Sequence, residues 1–285
     1  MTEVTELTER SELALPTRVC HAGWDEHEYC GYQLFQDFAG KETLTGMFGM
    51  AVTGRRLSPL LRGFLDDLAT VVGPPDPRIW PPKTTRLASA YGRAIPGIAV
   101  GALVFESGDV GPMTCSDSAD FFCALSEVVG DRLDDFDALE RATLDAASRL
   151  KRVAGFGVHF RPVDERLVVL RTLIERRGLH TGRFWRLFEG VASVLKKAKG
   201  IEPNYGSAIA AVLLDLGVAP KKIGILVFAI VQHVQLANAV EGADQAPEIL
   251  RRLPDECIAY AGAPPRVSPR AERADEGRAP SSVTP

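Results

Sequence analysis

Between residues 17 and 262 the chain is a succession of helix starts and helix stops, with no convincing pair of alternating strands among them. Ser58-Pro59 offers a capping hydroxyl followed by proline at the first helical position. Leu60, Leu61, Phe64, Leu65 and Leu68 then recur at helical spacing up to Gly73. The Ala- and Gly-rich stretch from Arg86 to Phe105 suits close helix–helix approach, and Pro96 is expected to kink or break it. Further helices are expected over 118–129 and 136–152. Asp164 can cap a helix that Gly178 ends, and Thr181 can open one that runs to Gly200. Asn204 can cap 205–216, with Gly217 as its stop, and Pro220 can start 221–240. The expectation is an all-α fold.

The 285 residues could form one large domain or two modest ones. Residues 1–16 and 263–285 have almost nothing to bury and read as flexible solvated tails. A net charge of −4, with basic residues scattered through helical segments, argues against nucleic acid or an anionic membrane as partner. The longest apolar run, from Ile223 to Val231, falls well short of the roughly 20 residues of a bilayer span and reads as a buried helix. The N-terminus lacks an apolar leader segment, and five cysteines are an odd number, so free thiols in a reducing cytoplasm are expected. Cys20, His21, His27 and Cys30 offer zinc-type ligands, but adjacent Cys-His and non-standard spacing argue against metal.

The segment Gly155-Phe156-Gly157-Val158-His159-Phe160-Arg161-Pro162-Val163-Asp164-Glu165-Arg166, followed later by Pro203-Asn204-Tyr205-Gly206, carries the functional signal. The two resemble the G-F-G-H…D-P-R-A and P-N-V-D-F segments of the citrate synthase and citryl-CoA lyase family. In order before them, Thr17-Arg18-Val19, Gly31-Tyr32, Leu44-Thr45-Gly46, Thr53-Gly54 and Leu57-Ser58-Pro59 resemble that family's opening and its LL-x-T-G-x-L-P turn. Ala210 to Gly217 with Pro220 is similar to its A-x-x-L-x-x-L-G-x-P-P. The resemblance covers residues 17–262. It implies a citrate-synthase-like two-domain helical fold and a homodimer. A large domain (17–112 with 218–262) would carry a smaller one (113–217) that closes over substrate.

The same resemblance implies a coenzyme A thioester as substrate, with no tightly bound cofactor, a keto acid as possible second substrate, and carbon–carbon bond making or breaking. The family's chemistry takes a carboxylate base for a carbon acid and histidine donors where negative charge develops. Here the base position is Gly206, and the G-F-G-H histidine position is Val158. The H-G-G-A histidine should fall near Asp109 to Met113, where there is none, and D-H-G is replaced by Val72 to Pro77. The Arg and His of R-x-P-G-W-x-A-H become Gln232 and Asn238. Arg166 matches the carboxylate-gripping Arg, and its planar fork suits that role. Arg161 matches a position that touches CoA phosphate, and Gly155 and Gly157 match backbone that wraps the adenine end. Fewer carboxylate-binding groups imply a less anionic second substrate than oxaloacetate.

His159 and Asp164 are the candidate replacement catalytic groups, against the plainer readings of a packed or exposed histidine and a helix cap. Thr114-Cys115-Ser116-Asp117-Ser118 could supply a nucleophile or donors, or simply be a helix N-terminus. His233 reads as a satisfied interior histidine. The expected function is a divergent acyl-CoA-dependent transferase or lyase with a remodelled site; the alternative is a catalytically inactive homologue acting as acyl-CoA binder or partner subunit.

Overall fold

A computed structural model describes residues 16–74, 76–91, 93–107, 111–158, 161–245, 255–257 and 259–263. The expected tails lie almost wholly outside the described residues, as does His159. The chain divides into two compact units, Met1–Ile249 and Leu250–Pro285. In the second, the described element is a short 3-10 turn, Asp255–Cys257.

The first unit carries eleven α-helices among the described residues. They are α1 (Leu44–Thr53), α2 (Pro59–Val72), α3 (Trp80–Ser89), α4 (Ala94–Ser107), α5 (Met113–Val129) and α6 (Phe136–Ser148), then α7 (Glu165–Arg176), α8 (Arg183–Lys199), α9 (Tyr205–Asp215), α10 (Pro220–Ile230) and α11 (Gln232–Asp244). The fold is all-α, as the punctuation implies. Ser58, Asp164 and Asn204 each cap their helix through the side chain. Gly178, Gly200 and Gly217 take positive φ just past three of the helix ends, where a Cβ would be strained.

Several boundaries differ from expectation. A three-stranded antiparallel sheet, β1 (Cys20–Ala22), β2 (His27–Tyr29) and β3 (Tyr32–Gln33), precedes the helices. Strands of two or three residues are too short to display a period of two. The break expected at Pro96 lies at 90–93 instead. Pro96 sits in the first turn of α4, where a missing N–H costs little. Helix α5 starts at Met113, so Ser116-Asp117-Ser118 lie inside it and not at its N-terminus. Helix α8 starts at Arg183 with no capping side chain of its own. Asp215, from the end of α9, accepts from the Phe184 and Trp185 N–H groups at 2.9 Å each and does the capping. The single helix expected over 221–240 is interrupted at Val231, where Gln232 Nε2 donates to the Phe228 carbonyl.

Helix α9 is the axis of the core: every residue from Gly206 to Leu214 is buried, so it is apolar all round and not amphipathic. It packs against α5, α7, α8 and α10. Pro220–Asp244 passes a length-and-composition test for a membrane span, yet 56% of its most apolar window is buried within the protein. Helix α10 lies on α5, α1 and α2, and α11 on α3 and α4, which is the placement of core helices.

Candidate functional site

Two glycines with positive φ, Gly155 (78°) and Gly157 (99°), flank Phe156 and let the chain reverse around it. The Phe156 ring enters a cluster with Phe122 and Phe188, its centroid 6.4 Å from each. Burying such a ring is worth about 1.5–3 kcal/mol, which anchors the loop from its middle. Gly155 carries a second constraint. A Cβ there would lie 2.5 Å from Ser118 Oγ and 2.6 Å from Ser207 Cβ.

The loop is tied to the Pro203 segment by a dense set of bonds. Phe156 bridges to Pro203 in antiparallel fashion. Gly155 O accepts from Asn204 N at 2.9 Å and from Ser207 Oγ at 2.7 Å. Gly157 N donates to Glu202 O at 2.7 Å, and Asn204 Nδ2 donates to Gly157 O at 3.0 Å. The two segments singled out by sequence therefore meet in one place.

Asp164 joins the two helix starts beside them. It is 3% exposed. Its carboxylate accepts from Arg166 N (3.1 Å), Arg166 Nε (2.9 Å), Arg166 Nη2 (3.3 Å) and Tyr205 N (3.1 Å). The helix-cap reading of Asp164 thus holds, and both its oxygens are engaged. Arg166 lays its guanidinium over the Tyr205 ring, with Cζ 4.1 Å from the centroid. Burial pushes the Tyr205 phenol up to about 12, against the opposing pull of Arg166, so it stays protonated.

Gly206, where the resemblance would set a carboxylate base, stands over Cys115. A Cβ on it would meet Asn204 Oδ1 at 3.1 Å, Cys115 Sγ at 3.8 Å and Gly155 Cα at 3.9 Å. The backbone does not demand glycine here, because Gly206 is not among the positive-φ residues. Cys115 is 1% exposed, and burial, with Asp117 adding to it, drives its thiol up to about 12. Burial therefore disfavours the thiolate, the reactive form, at Cys115. Ser116 Oγ instead donates to Pro220 O and accepts from Gly224 N, at 2.9 Å each.

The remaining positions disperse. Val158 is half-buried beside the loop. Arg161 is exposed and paired with Glu165 one turn along, an arrangement worth little by itself. Asp76, in the segment replacing D-H-G, is held down to about 2 by its hydrogen bonds from Arg78. His233 is exposed at the start of α11, its Nε2 3.2 Å from Gly73 O, so it is satisfied but not interior. Asn238 is buried and donates to Val234 O at 3.0 Å. The sheet register sets Cys20 opposite Tyr29 and Ala22 opposite His27. Alternation along the strands then sends Cys20 and His27 to one face and His21 to the other. Among the described residues no group of three or more His, Cys, Asp and Glu is arranged to hold a metal ion.

The fold finds counterparts among solved structures. Citryl-CoA lyase from Hydrogenobacter thermophilus matches with a TM-score of 0.75 at 20% identity, covering 91% of this chain and 99% of that one. The chain has the citrate synthase-like fold. ATP citrate lyase from Methanothrix soehngenii, solved with citrate and coenzyme A, matches at TM-score 0.68 and 18% identity over 93% of this chain and 45% of its own. Citrate synthase from Thermoplasma acidophilum, solved with carboxymethyl coenzyme A and oxaloacetate, matches at 0.60 and 18% over 81% and 60%. No protein-family model matches the sequence, and no curated protein matches it.

Within this fold, the contact of Tyr205 with Arg166 is one that sequence reasoning missed. Tyr205 stood in view, an aromatic in place of the Val of P-N-V-D-F. Its partnership with Arg166 joins residues 39 apart and is a tertiary fact.

Proposed function

We propose that the protein binds a coenzyme A thioester and makes or breaks a carbon–carbon bond through a remodelled site. One observation carries the reading. The Gly155–Gly157 loop, the Asn204 cap and the Arg166 guanidinium form one connected unit in a fold whose solved neighbours hold coenzyme A, citrate or oxaloacetate. In this reading Gly155, Gly157 and Arg161 receive the CoA thioester, Arg166 receives the carboxylate of a second, keto-acid substrate, and Asp164 positions Arg166. His159 and Asp164 are the candidate groups for its acid–base chemistry. Residues 113–217 act as a small domain closing on the large one.

A homodimer fits the exposed apolar side chains of α4 (Ile95, Val100, Leu103) and of α11 (Leu236, Val240), which lie on adjacent helices. All five cysteines are free thiols, in keeping with a cytoplasmic site of action.

The second reading, an acyl-CoA binder without chemistry, is favoured by a different observation. The base position is Gly206, and the carboxylate nearest in the network, Asp164, has its oxygens committed to four hydrogen bonds. Incubation with a panel of acyl-CoAs and keto acids, read by free-thiol release, separates the two. Turnover supports catalysis. A CoA-induced rise in melting temperature without turnover supports the binder. Neither response defeats both.

A further inference from the structure

Cys20 and Cys30 lie one diagonal step apart in the small antiparallel sheet. The register sets Cys20 opposite Tyr29, and Cys30 N donates to Val19 O at 2.7 Å. Strand spacing and rise put the two Cα atoms about 5.5–6.5 Å apart, inside the range that a disulfide spans. Regular alternation would turn their side chains to opposite faces. Cys30 escapes that rule. With Gly31 it makes a two-residue hairpin turn between Tyr29 and Tyr32, at φ 51° and 85°. It is the one non-glycine residue with positive φ among the described residues. Burial raises the Tyr29 phenol, and the Cys30 and Cys20 thiols add to the rise, so both sulfurs lie within electrostatic reach of a single hydroxyl. Neither thiol is shut away: Cys20 is exposed and Cys30 half-buried.

The strands differ in how they are held. β2 and β3 bring Tyr29 and Tyr32 against Phe38, with centroids 6.5 and 5.4 Å away, and Phe38 carries the Arg56 guanidinium 5.3 Å above its ring. All three residues of β1 are exposed, and as an edge strand it pairs with β2 alone. We propose that Cys20 and Cys30 are a reversible oxidation site, at which a small disulfide such as glutathione disulfide closes an intrachain bond that fastens β1 to the β2–β3 turn. The exposed Cys20 thiolate attacks one sulfur of glutathione disulfide, forming a mixed disulfide and expelling one glutathione thiolate. The Cys30 thiolate then attacks the Cys20 sulfur and expels the second. Two protein thiols are oxidised, one glutathione disulfide is reduced to two glutathiones, and the two protons shed by the cysteines balance the two thiolates released. Excess reduced thiol reverses both steps, so in a reducing compartment the bond is transient. The sheet takes no part in the thioester reading.

Trypsin makes the test direct, because no Lys or Arg stands between Arg18 and Lys41 and one peptide, 19–41, carries both cysteines. The reduced full chain is incubated over a series of glutathione disulfide to glutathione ratios, alkylated, digested and analysed by mass spectrometry. The expected product is a 19–41 peptide about 2 Da lighter than its dithiol form, free of alkyl groups and of glutathione, and returned to the dithiol by dithiothreitol. Backbone amide exchange across residues 20–33 should slow at least about tenfold on oxidation, while the amides of α8 and α9 stay unchanged. Cys20→Ser and Cys30→Ser should each abolish that slowing. A peptide that keeps both thiols at every ratio, separate glutathione adducts on the two cysteines, a disulfide to a second chain, or unchanged exchange in the oxidised protein overturns the inference.

Discussion

Replacing Asp164 with alanine removes four hydrogen bonds at once, and each has an approximate cost. The helix cap on Arg166 N is worth about 1 kcal/mol. Leaving the part-buried Tyr205 N–H without its acceptor costs about 1–3 kcal/mol. Losing the partner of a wholly buried guanidinium would cost about 3–5 kcal/mol, but Arg166 is 29% exposed and can regain water, so that contribution is taken at the level of about 1 kcal/mol. The total is roughly 3–5 kcal/mol. For a unit of this size, about 2–4 °C of Tm per kcal/mol makes that roughly 6–20 °C. Urea unfolding followed by circular dichroism measures the change. Asp164→Ser is the informative companion: it retains a capping oxygen but loses the reach to Arg166 and Tyr205, so it should recover only about 1 kcal/mol. If Asp164→Ala unfolds within about 1 kcal/mol of wild type, or Asp164→Ser recovers nearly everything, the carboxylate is not the bridge between α7 and α9 that its geometry indicates.

Three other outcomes are expected on the same physical grounds. Gly155→Ala should cost about 2–5 kcal/mol, combining positive φ with a collision against Ser118 and Ser207. Gly157→Ala, with nothing within 4 Å of the added carbon, should cost only about 1–2 kcal/mol; equal costs would contradict the packing argument. Burial raises the Glu42 carboxyl, but the Thr43 N–H and the Arg56 and Arg62 guanidiniums outweigh it and hold the group below 4.5. A carboxyl depressed by folding contributes stability above its unfolded value and loses it as pH falls through the folded one. Unfolding free energy should therefore drop below pH 4.5, and Glu42→Gln should flatten that portion of a profile taken from about pH 6 to about pH 3. In native protein a thiol reagent should modify the exposed Cys20 and Cys257 readily and Cys115 only on unfolding; fast labelling of Cys115 would show that the α5–α9 contact opens.

The fold was legible in the sequence because its determinants are local. Ser58, Asp164 and Asn204 announce helix starts through side chains that reach two or three residues along, and Gly178, Gly200 and Gly217 announce stops through their own φ. The same locality explains the errors. The cap of α8 comes from Asp215, some thirty residues away in sequence, so no window around Thr181 could reveal it. The strands β1–β3 are stabilised by one another and are too short to mark themselves.

Chain chemistry alone settled which residues are present: glycine, not a carboxylate, at 206, valine at 158, and an arginine at 166 two places after an aspartate. Tertiary structure decided what each of them does. It sealed Cys115 under Gly206, where desolvation keeps the thiol protonated, and it set the Tyr205 ring under Arg166 while Asp164 held both. Backbone propensity acts over a few residues and can be read in order along the chain. Burial and the facing of charges depend on which distant segments share a volume, and that becomes fixed only when α9 is enclosed by α5, α7, α8 and α10.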